Sequence, residues 1–161
     1  MFRPELRSSV SLSKLISSNS NENLSIVLSQ LSIYLALDPG LNNTGVAISY
    51  EGTLVEPLTT LGPRDLVKNT LHLLYENHVD VLIIGEPSHG PAKDLALILV
   101  DEIKNHFSCQ IHLHPEDFSS KKATKKLIEA GTALMKRRSL SHSASAAIIL
   151  EDYLESIPHA T

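Results

Sequence analysis

Two apolar segments joined by a short polar turn constrain the fold of this chain more than any other feature. Residues 33–38 read IYLALD and residues 44–50 read TGVAISY, with Asn42 and Asn43 between them and Gly45 opening the second segment. Short apolar runs bounded by turn residues predict strands, and Asn and Gly tolerate the positive φ angles of a hairpin turn. The first strand ends on Asp38, which places a carboxylate where a core strand meets a tight turn.

The apolar pattern continues this hairpin into a mixed α/β domain. Pro57 predicts an edge position or a bulge in the third strand, and Asp65 and Ser141 are candidate helix N-caps. The predicted elements are strands at residues 33–38, 44–50, 53–61, 80–86 and 109–116 and helices at 65–78, 92–107, 119–131 and 141–156. This order, βββαβαβαα, predicts a five-stranded mixed sheet flanked by helices. Right-handed crossovers would place the fourth strand beside the first.

Composition limits the class of protein. The 161 residues suffice for one domain, or one domain with a tail, and a hydrophobic fraction of 42% supports a real core. A net charge of −4 argues against a protein that coats nucleic acid indiscriminately. The single cysteine, Cys109, excludes an internal disulfide framework and fits a reducing compartment. No apolar run reaches the roughly 18 residues of a membrane helix.

The chain divides into an extension, a domain and a short tail. Residues 1–30 are rich in Ser and Asn and predict a flexible N-terminal extension, residues 31–157 predict one α/β domain, and residues 158–161 predict a short C-terminal tail. A leader rich in Arg and Ser can also be an organellar transit peptide, but Glu5 and Glu22 weaken that interpretation. A cytoplasmic location is expected.

Four candidate metal ligands fall at one predicted edge of the sheet. Asp38, Glu86 and Glu116 end the first, fourth and fifth strands, and His142 lies near the start of the last helix. Parallel strands bring their carboxyl ends to one edge, where open α/β sheets place their sites. Mg²⁺ takes one or two carboxylates, several waters and substrate phosphates, and two such ions about 3.5–4 Å apart can cleave a phosphodiester.

Each candidate also has a structural explanation. Asp38 can cap the turn through its side chain, and Glu86, directly before Pro87, can be a solvated loop acid. Glu116 can position the following helix, and His142 can be a helix-start residue without a chemical role. Their joint placement at one edge favours the functional interpretation.

A basic segment follows the fifth strand. Seven basic residues and one acid fall between positions 121 and 138; the basic residues are Lys121, Lys122, Lys125, Lys126, Lys136, Arg137 and Arg138. The lysines can simply solvate an amphipathic helix, or they can contact phosphates in a salt-dependent, sequence-independent manner. Few aromatic residues interleave with these charges, which argues against a base-stacking platform for single strands.

Four segments of the chain resemble the YqgF/RuvX family of Holliday junction resolvases and pre-16S rRNA nucleases. LALDPGLNNTGVAIS resembles its opening strand-turn-strand, and VLIIGEPSHG is similar to its IVVGLPLNxDG segment. IHLHPEDFSSKKATKKLIEAG resembles VxLxDERLSTxEAxxxLxxxG, and SHSASAAIILEDYLES resembles the closing VDSxSAxxILxxYL helix. The resemblance covers about residues 33–156.

The resemblance implies a ribonuclease H-like fold with sheet order 3-2-1-4-5 and a Mg²⁺- or Mn²⁺-dependent nuclease. The catalytic Asp of the opening motif falls on Asp38, the Glu of the D-E-R motif on Glu116, and the last acid of the family on His142. This His is a departure from the family. Related resolvases of the RuvC type use a His near this position together with a Glu at the end of the fourth strand, where this chain has Glu86.

Two functions remain open at this stage. The first is a nuclease that cleaves structured nucleic acid, either branched DNA or precursor ribosomal RNA, with ribosomal precursor particles as a further expected partner. The second is a catalytically silent module that binds nucleic acid or ribosomes. An actin-like or sugar-kinase ATPase, which also uses D-x-G before a hairpin, is excluded because 161 residues cannot supply two lobes. The resolvase reaction would require a dimer and the RNA reaction would not.

Overall fold

The computed structural model describes residues 31–115 and 134–157, with side chains described from residue 142 onwards in the second range. Several predicted features lie outside these residues: the N-terminal extension, Glu116, the helix that carries Lys121, Lys122, Lys125 and Lys126, and the C-terminal tail. The side chains of Lys136, Arg137 and Arg138 also lie outside the described part.

Five strands form one mixed sheet, as the sequence predicts. They are β1 (Tyr34–Asp38), β2 (Thr44–Ser49), β3 (Glu56–Leu61), β4 (Val81–Glu86) and β5 (Gln110–Pro115), in the spatial order β3-β2-β1-β4-β5. The first three strands pair antiparallel, and β4 pairs parallel with both β1 and β5. The predicted order 3-2-1-4-5 and the placement of the fourth strand beside the first are both confirmed.

Three helices are described, and the last one starts earlier than the sequence predicts. They are α1 (Leu66–Glu76), α2 (Pro91–His106) and α3 (Leu134–Ser156). His142 was predicted in the first turn of the last helix, with Ser141 as its N-cap; instead, both residues lie inside α3. The prediction is wrong because Leu134 to Leu140 contains neither Pro nor Gly and therefore nothing that stops a helix. The segment Lys136-Arg137-Arg138 is accordingly helical rather than a loop.

The sheet separates two apolar cores. On one face the side chains of Leu35, Leu37, Leu82 and Ile84 pack against α1 and α2. On the other face Tyr34, Ala36, Ala47 and Ile83 pack against α3. The alternation of strand side chains therefore assigns each residue of β1 and β4 to one helix layer.

Strand β3 contains Pro57 and lies at the edge of the sheet. Pro57 lies in this edge strand, and the pairing with β2 shifts register between Val46 and Ala47, opposite Thr59 and Pro57. Edge strands and bulges are the positions where a sheet tolerates proline. The sequence prediction for Pro57 is confirmed on both counts.

Helix α1 has its N-cap at Asp65, as predicted, but the Asp65 side chain does not cap the helix. Asp65 is the N-cap, with φ 56°, but its side chain makes no capping hydrogen bond. Its backbone carbonyl instead accepts a 2.8 Å hydrogen bond from the N–H of Asn69. Among residues 31–115 and 134–157, no helix has both the length and the apolar character needed to cross a membrane.

Candidate active site

Asp38 lies at the end of β1, under the last helix. It is only 9% exposed although it carries a carboxylate. Its Cα pairs with that of Gly45 across the antiparallel ladder, and directly paired residues of such a ladder point to the same face. Ala36 and Ala47, which are paired two residues earlier in the ladder, pack against α3. Because strand side chains alternate between the two faces, the carboxylate of Asp38 also lies on the α3 face.

Helix α3 touches the sheet at the residue paired with Asp38. A Cβ atom built on Gly45 would lie 1.8 Å from the carbonyl oxygen of His142 and 2.8 Å from the backbone nitrogen of Ser143. Paired Cα atoms of an antiparallel ladder are about 4.5–5.5 Å apart. The backbone of His142 is therefore a close neighbour of Asp38, although 104 positions separate the two residues in the sequence.

Helical periodicity relates the position of His142 on α3 to that of Tyr153. Tyr153, three helical turns later, lies on nearly the same line of the helix. Its ring centroid is 6.4 Å from that of Tyr34 on β1 and 5.4 Å from that of His112 on β5. His142 is partly exposed.

Glu86 ends the neighbouring strand on the opposite face. The β1–β4 pairing ends at Leu37 with Ile84, and the residues that follow them are Asp38 and Gly85, so in this register Gly85 and not Glu86 is level with Asp38. Glu86 shares the α2 face with Ile84, and its Oε1 lies 3.3 Å from Nζ of Lys93 in the first turns of α2. Glu86 is therefore a predicted ligand whose carboxylate is already paired with a cation, Lys93.

The carboxyl ends of β1, β4 and β5 form one edge of the sheet, here called the rim. Its α3 face contains two features that the sequence analysis missed. Gly45 and Gly85 flank Asp38 on either side, and His114 is paired with Gly85 one strand further out. The ring of His114 packs on Tyr153 with centroids 6.2 Å apart. The alternation IHLH in β5 was the available signal for His114, whereas Gly45 gave no local signal beyond hairpin chemistry.

The described residues include three of the four predicted metal ligands. Asp38 and the backbone of His142 are brought together, Glu86 points to the other face, and Glu116 lies outside the described part. Within residues 31–115 and 134–157, no three His, Cys, Asp or Glu side chains form a group that could hold a metal ion. A buried carboxylate beside the helix that carries His142 fits Mg²⁺ or Mn²⁺ chemistry, because such ions retain waters and use substrate phosphates as ligands.

An apolar groove lies away from this rim face. It has a volume of about 700 Å³ between α1 and α2 and is lined by residues that include Leu66, Leu71, Leu95 and Ile98. None of the three predicted ligands within the described residues, Asp38, Glu86 and His142, lines it. The groove therefore does not belong to the candidate site.

Comparison with known proteins identifies relatives of the whole domain. A protein of Chloroflexus aurantiacus (strain ATCC 29366 / DSM 635 / J-10-fl) named "Putative pre-16S rRNA nuclease" is 30% identical over 132 residues, covering 76% of this chain and 86% of the relative. A protein of the same name from Geobacillus kaustophilus (strain HTA426) is 31% identical over 134 residues, covering 76% of this chain and 96% of the relative.

Solved structures show the same fold at low identity. The fowlpox virus resolvase in complex with Holliday junction DNA superposes with a TM-score of 0.57 at 15% identity, covering 77% of this chain and 97% of the viral chain. The predicted ribonuclease H-like architecture is confirmed by this likeness together with the strand order. The family model described as "RuvX: Holliday junction resolvase" matches residues 32–156. The chain therefore belongs to the RuvX family.

Proposed function

We propose that this RuvX-family protein is a metal-dependent nuclease that hydrolyses phosphodiester bonds in structured nucleic acid. The observation that carries the proposal is the placement of Asp38, which is 9% exposed at the end of β1 and paired with the glycine on which α3 rests at His142. A carboxylate at the end of a central strand is a hard oxygen ligand of the kind that Mg²⁺ and Mn²⁺ bind.

Asp38, Glu116 and His142 would hold Mg²⁺ or Mn²⁺. His112 and His114 lie on the α3 face of β5, and Glu116 follows His114 by two positions in the sequence. Glu86 was predicted as a fourth ligand, and its contribution depends on release from Lys93. The bound ion would supply an activated water and neutralise charge on the scissile phosphate.

The residues of the chain itself hold and orient the reactants. The β1–β2 ladder fixes Asp38, and the contact of α3 with Gly45 fixes the backbone of His142. Lys121, Lys122, Lys125, Lys126, Lys136, Arg137 and Arg138 would contact phosphates on either side of the cut, which gives affinity without sequence readout. A neutral imidazole at His142 can either ligate the metal or move a proton.

Precursor ribosomal RNA is the proposed substrate, and branched DNA is the second candidate. The RNA assignment follows the names of relatives that share 30–31% identity with this chain and align with 86–96% of their own length. The DNA assignment follows the description of the family model, which is a Holliday junction resolvase. Lysine contacts to phosphate do not discriminate between the two polymers.

A silent binding module is the alternative function, and His142 is the observation that favours it. Replacing the anionic family ligand by a neutral imidazole leaves more of the charge of a divalent ion uncompensated, which weakens binding of Mg²⁺. The module would retain the fold and the basic segment and would bind without cutting.

Cleavage assays separate these functions. The full-length protein is incubated with a labelled precursor rRNA fragment and with a labelled four-way junction, in Mg²⁺, Mn²⁺ or EDTA. We expect metal-dependent cleavage of the RNA, reduced at least about 100-fold in Asp38→Asn, as is typical when a residue that acts on the transition state is removed. Asp101→Asn, at an exposed position of α2, is the matched control and should retain wild-type cleavage.

The outcomes assign the function directly. Salt-sensitive binding of either polymer with no cleavage in Mg²⁺ or Mn²⁺ would replace the nuclease by the binding module. Equal cleavage by the wild type and Asp38→Asn would remove Asp38 from the site. Cleavage of the junction but not of the RNA would select the DNA substrate.

A further inference from the structure

We infer that Gly45 is a positioning residue that sets the separation between Asp38 and His142 by letting the backbone of α3 rest directly on β2. This inference rests on the proposed function, because the separation matters for a metal shared by the two residues. It assigns a role in the site to a residue that carries no side chain and that has no ligand chemistry of its own.

The contact at Gly45 is between two backbones. A Cβ atom at this position would be 1.8 Å from the carbonyl oxygen of His142 and 2.2 Å from its carbonyl carbon. Atoms this close overlap, and neither neighbour is a flexible side chain that could move aside. Only a residue without a Cβ fits, because the obstacle is the main chain of a 23-residue helix.

Backbone conformation does not explain the glycine. Among the described residues, the glycines with positive φ are Gly52 and Gly90, and Gly45 lies in the regular β2 ladder opposite Asp38. An L-residue could therefore adopt the φ and ψ angles of this strand position. The close approach of α3 is the physical requirement that remains.

The rest of this interface is also built from small side chains. Ser143, Ala146 and Ala147 of α3 are at most 6% exposed, and the two alanines belong to the same buried cluster as Ala36 and Ala47 of the sheet. Small side chains let two backbones approach closely, so α3 packs close to the backbones of β1 and β2. The backbone contact at Gly45 lies beside Asp38 rather than in the middle of the sheet.

An added methyl group at Gly45 would therefore move His142 relative to Asp38. The helix must retreat by about 1 Å or more before a Cβ atom fits, and a misplacement of about 1 Å at a reacting group can lower a rate about 100-fold. The apolar contacts further along α3, at Leu150 and Leu154, can hold the helix on the sheet while its rim end is displaced.

The test compares Gly45→Ala with two matched variants in the full-length protein. Gly62→Ala adds the same methyl group where no heavy atom lies within 4 Å. Ala47→Val overpacks the same face of β2 two residues further from the rim, at a typical cost of about 1–3 kcal/mol in stability. The melting temperature of each variant is measured first, so that loss of fold is separated from displacement of the helix.

Two readouts follow, and only one requires activity. Broadening of the His142 ring signals by Mn²⁺ in histidine-labelled protein reports whether the metal sits beside His142, and cleavage in Mn²⁺ reports the rate. We expect Gly45→Ala to need at least about tenfold more Mn²⁺ for half-maximal broadening and to cleave about 100-fold more slowly. Gly62→Ala should match the wild type, and Ala47→Val should lose stability with a smaller change in Mn²⁺ dependence.

Each outcome decides the inference. Wild-type Mn²⁺ dependence in a folded Gly45→Ala variant overturns it, as does an equal shift in Ala47→Val at matched stability. If Gly45→Ala does not fold, the inference is tested by the broadening of the His142 signals in the wild type. Broadening of His142 that disappears in Asp38→Asn supports the shared site, and its absence in the wild type overturns it. Broadening without cleavage of any substrate would refute the nuclease and leave the positioning role intact.

Discussion

Asp38 and Glu86 end neighbouring parallel strands, but their side chains leave the sheet on opposite faces. Asp38 faces α3, whereas the carboxylate of Glu86 is 3.3 Å from the ammonium group of Lys93 on the α2 side. With side-chain exposures of 29% and 37%, this ion pair contributes at most about 1 kcal/mol to stability. Its position on the sheet is therefore more informative than its energy.

Glu86→Gln should reduce cleavage much less than Asp38→Asn. We expect less than about a tenfold loss for Glu86→Gln and at least about a 100-fold loss for Asp38→Asn, because only the latter removes a charge from the α3 face. Lys93→Met is the matched partner variant, and the melting temperature of each protein is recorded together with initial rates in Mn²⁺.

The Lys93 variant gives the opposite outcome a clear meaning. If Glu86 ligates the metal, removing Lys93 should free its carboxylate and lower the Mn²⁺ concentration needed for half-maximal rate. Such a decrease, combined with a loss in Glu86→Gln as severe as that in Asp38→Asn, would return Glu86 to the metal set.

Ser141 illustrates how an element boundary changes the role of a residue. Ser is a preferred N-cap, and the loss of a capping side chain typically costs about 1 kcal/mol. In the structure α3 already begins at Leu134, so Ser141 occupies a helix interior. Ala is the better residue at interior positions, by a few tenths of a kcal/mol.

Ser141→Ala should therefore leave the free energy of unfolding unchanged or raise it slightly. Urea unfolding followed by circular dichroism measures this difference, and Ser139→Ala, in the same helix, serves as the matched interior control. A loss of about 1 kcal/mol in Ser141→Ala but not in Ser139→Ala would place the start of the helix at Ser141.

The strands and their order were predictable because each signal is local. The apolar run of β4, the turn residues before Gly45 and the proline in β3 act within a few residues, and the handedness of crossovers then fixes the neighbour of β1. The start of α3 was not predictable by this route. A preferred N-cap residue at Ser141 outweighed the absence of any helix breaker between Leu134 and Leu140.

The arrangement of the site required the folded chain. The sequence predicts that Asp38 and Glu86 share a sheet edge, but the face of each side chain depends on register, which places Gly85 and not Glu86 beside Asp38. The contact between Gly45 and His142 joins positions 97 residues apart and involves backbone atoms, so no residue type announces it. Distance in sequence and the lack of a side chain explain why it was missed.

On the scale of the whole molecule, ionisable groups are buried beside both cores. Burial raises the pKa of the Tyr34 and Tyr153 phenols in the α3 layer, and burial raises the pKa of the Cys109 thiol, which packs against the α1–α2 layer. For each group the neutral form is favoured in the folded state. The unfolded chain therefore releases these protons first as the pH rises.

This difference predicts that the protein loses stability in alkali. Stability from the three groups is complete below their ordinary pKa values and declines as the pH rises above about 9, because the unfolded state then binds fewer protons than the folded state. Urea unfolding at closely spaced pH values from neutral to strongly alkaline measures the slope, and Tyr34→Phe with Tyr153→Phe should flatten it progressively. An alkaline slope in the double variant as steep as that of the wild type would show that the buried phenols do not control it. In that case we expect Cys109→Ser to flatten the alkaline slope most, because the Cys109 thiol is the first of the three groups to ionise in the unfolded chain.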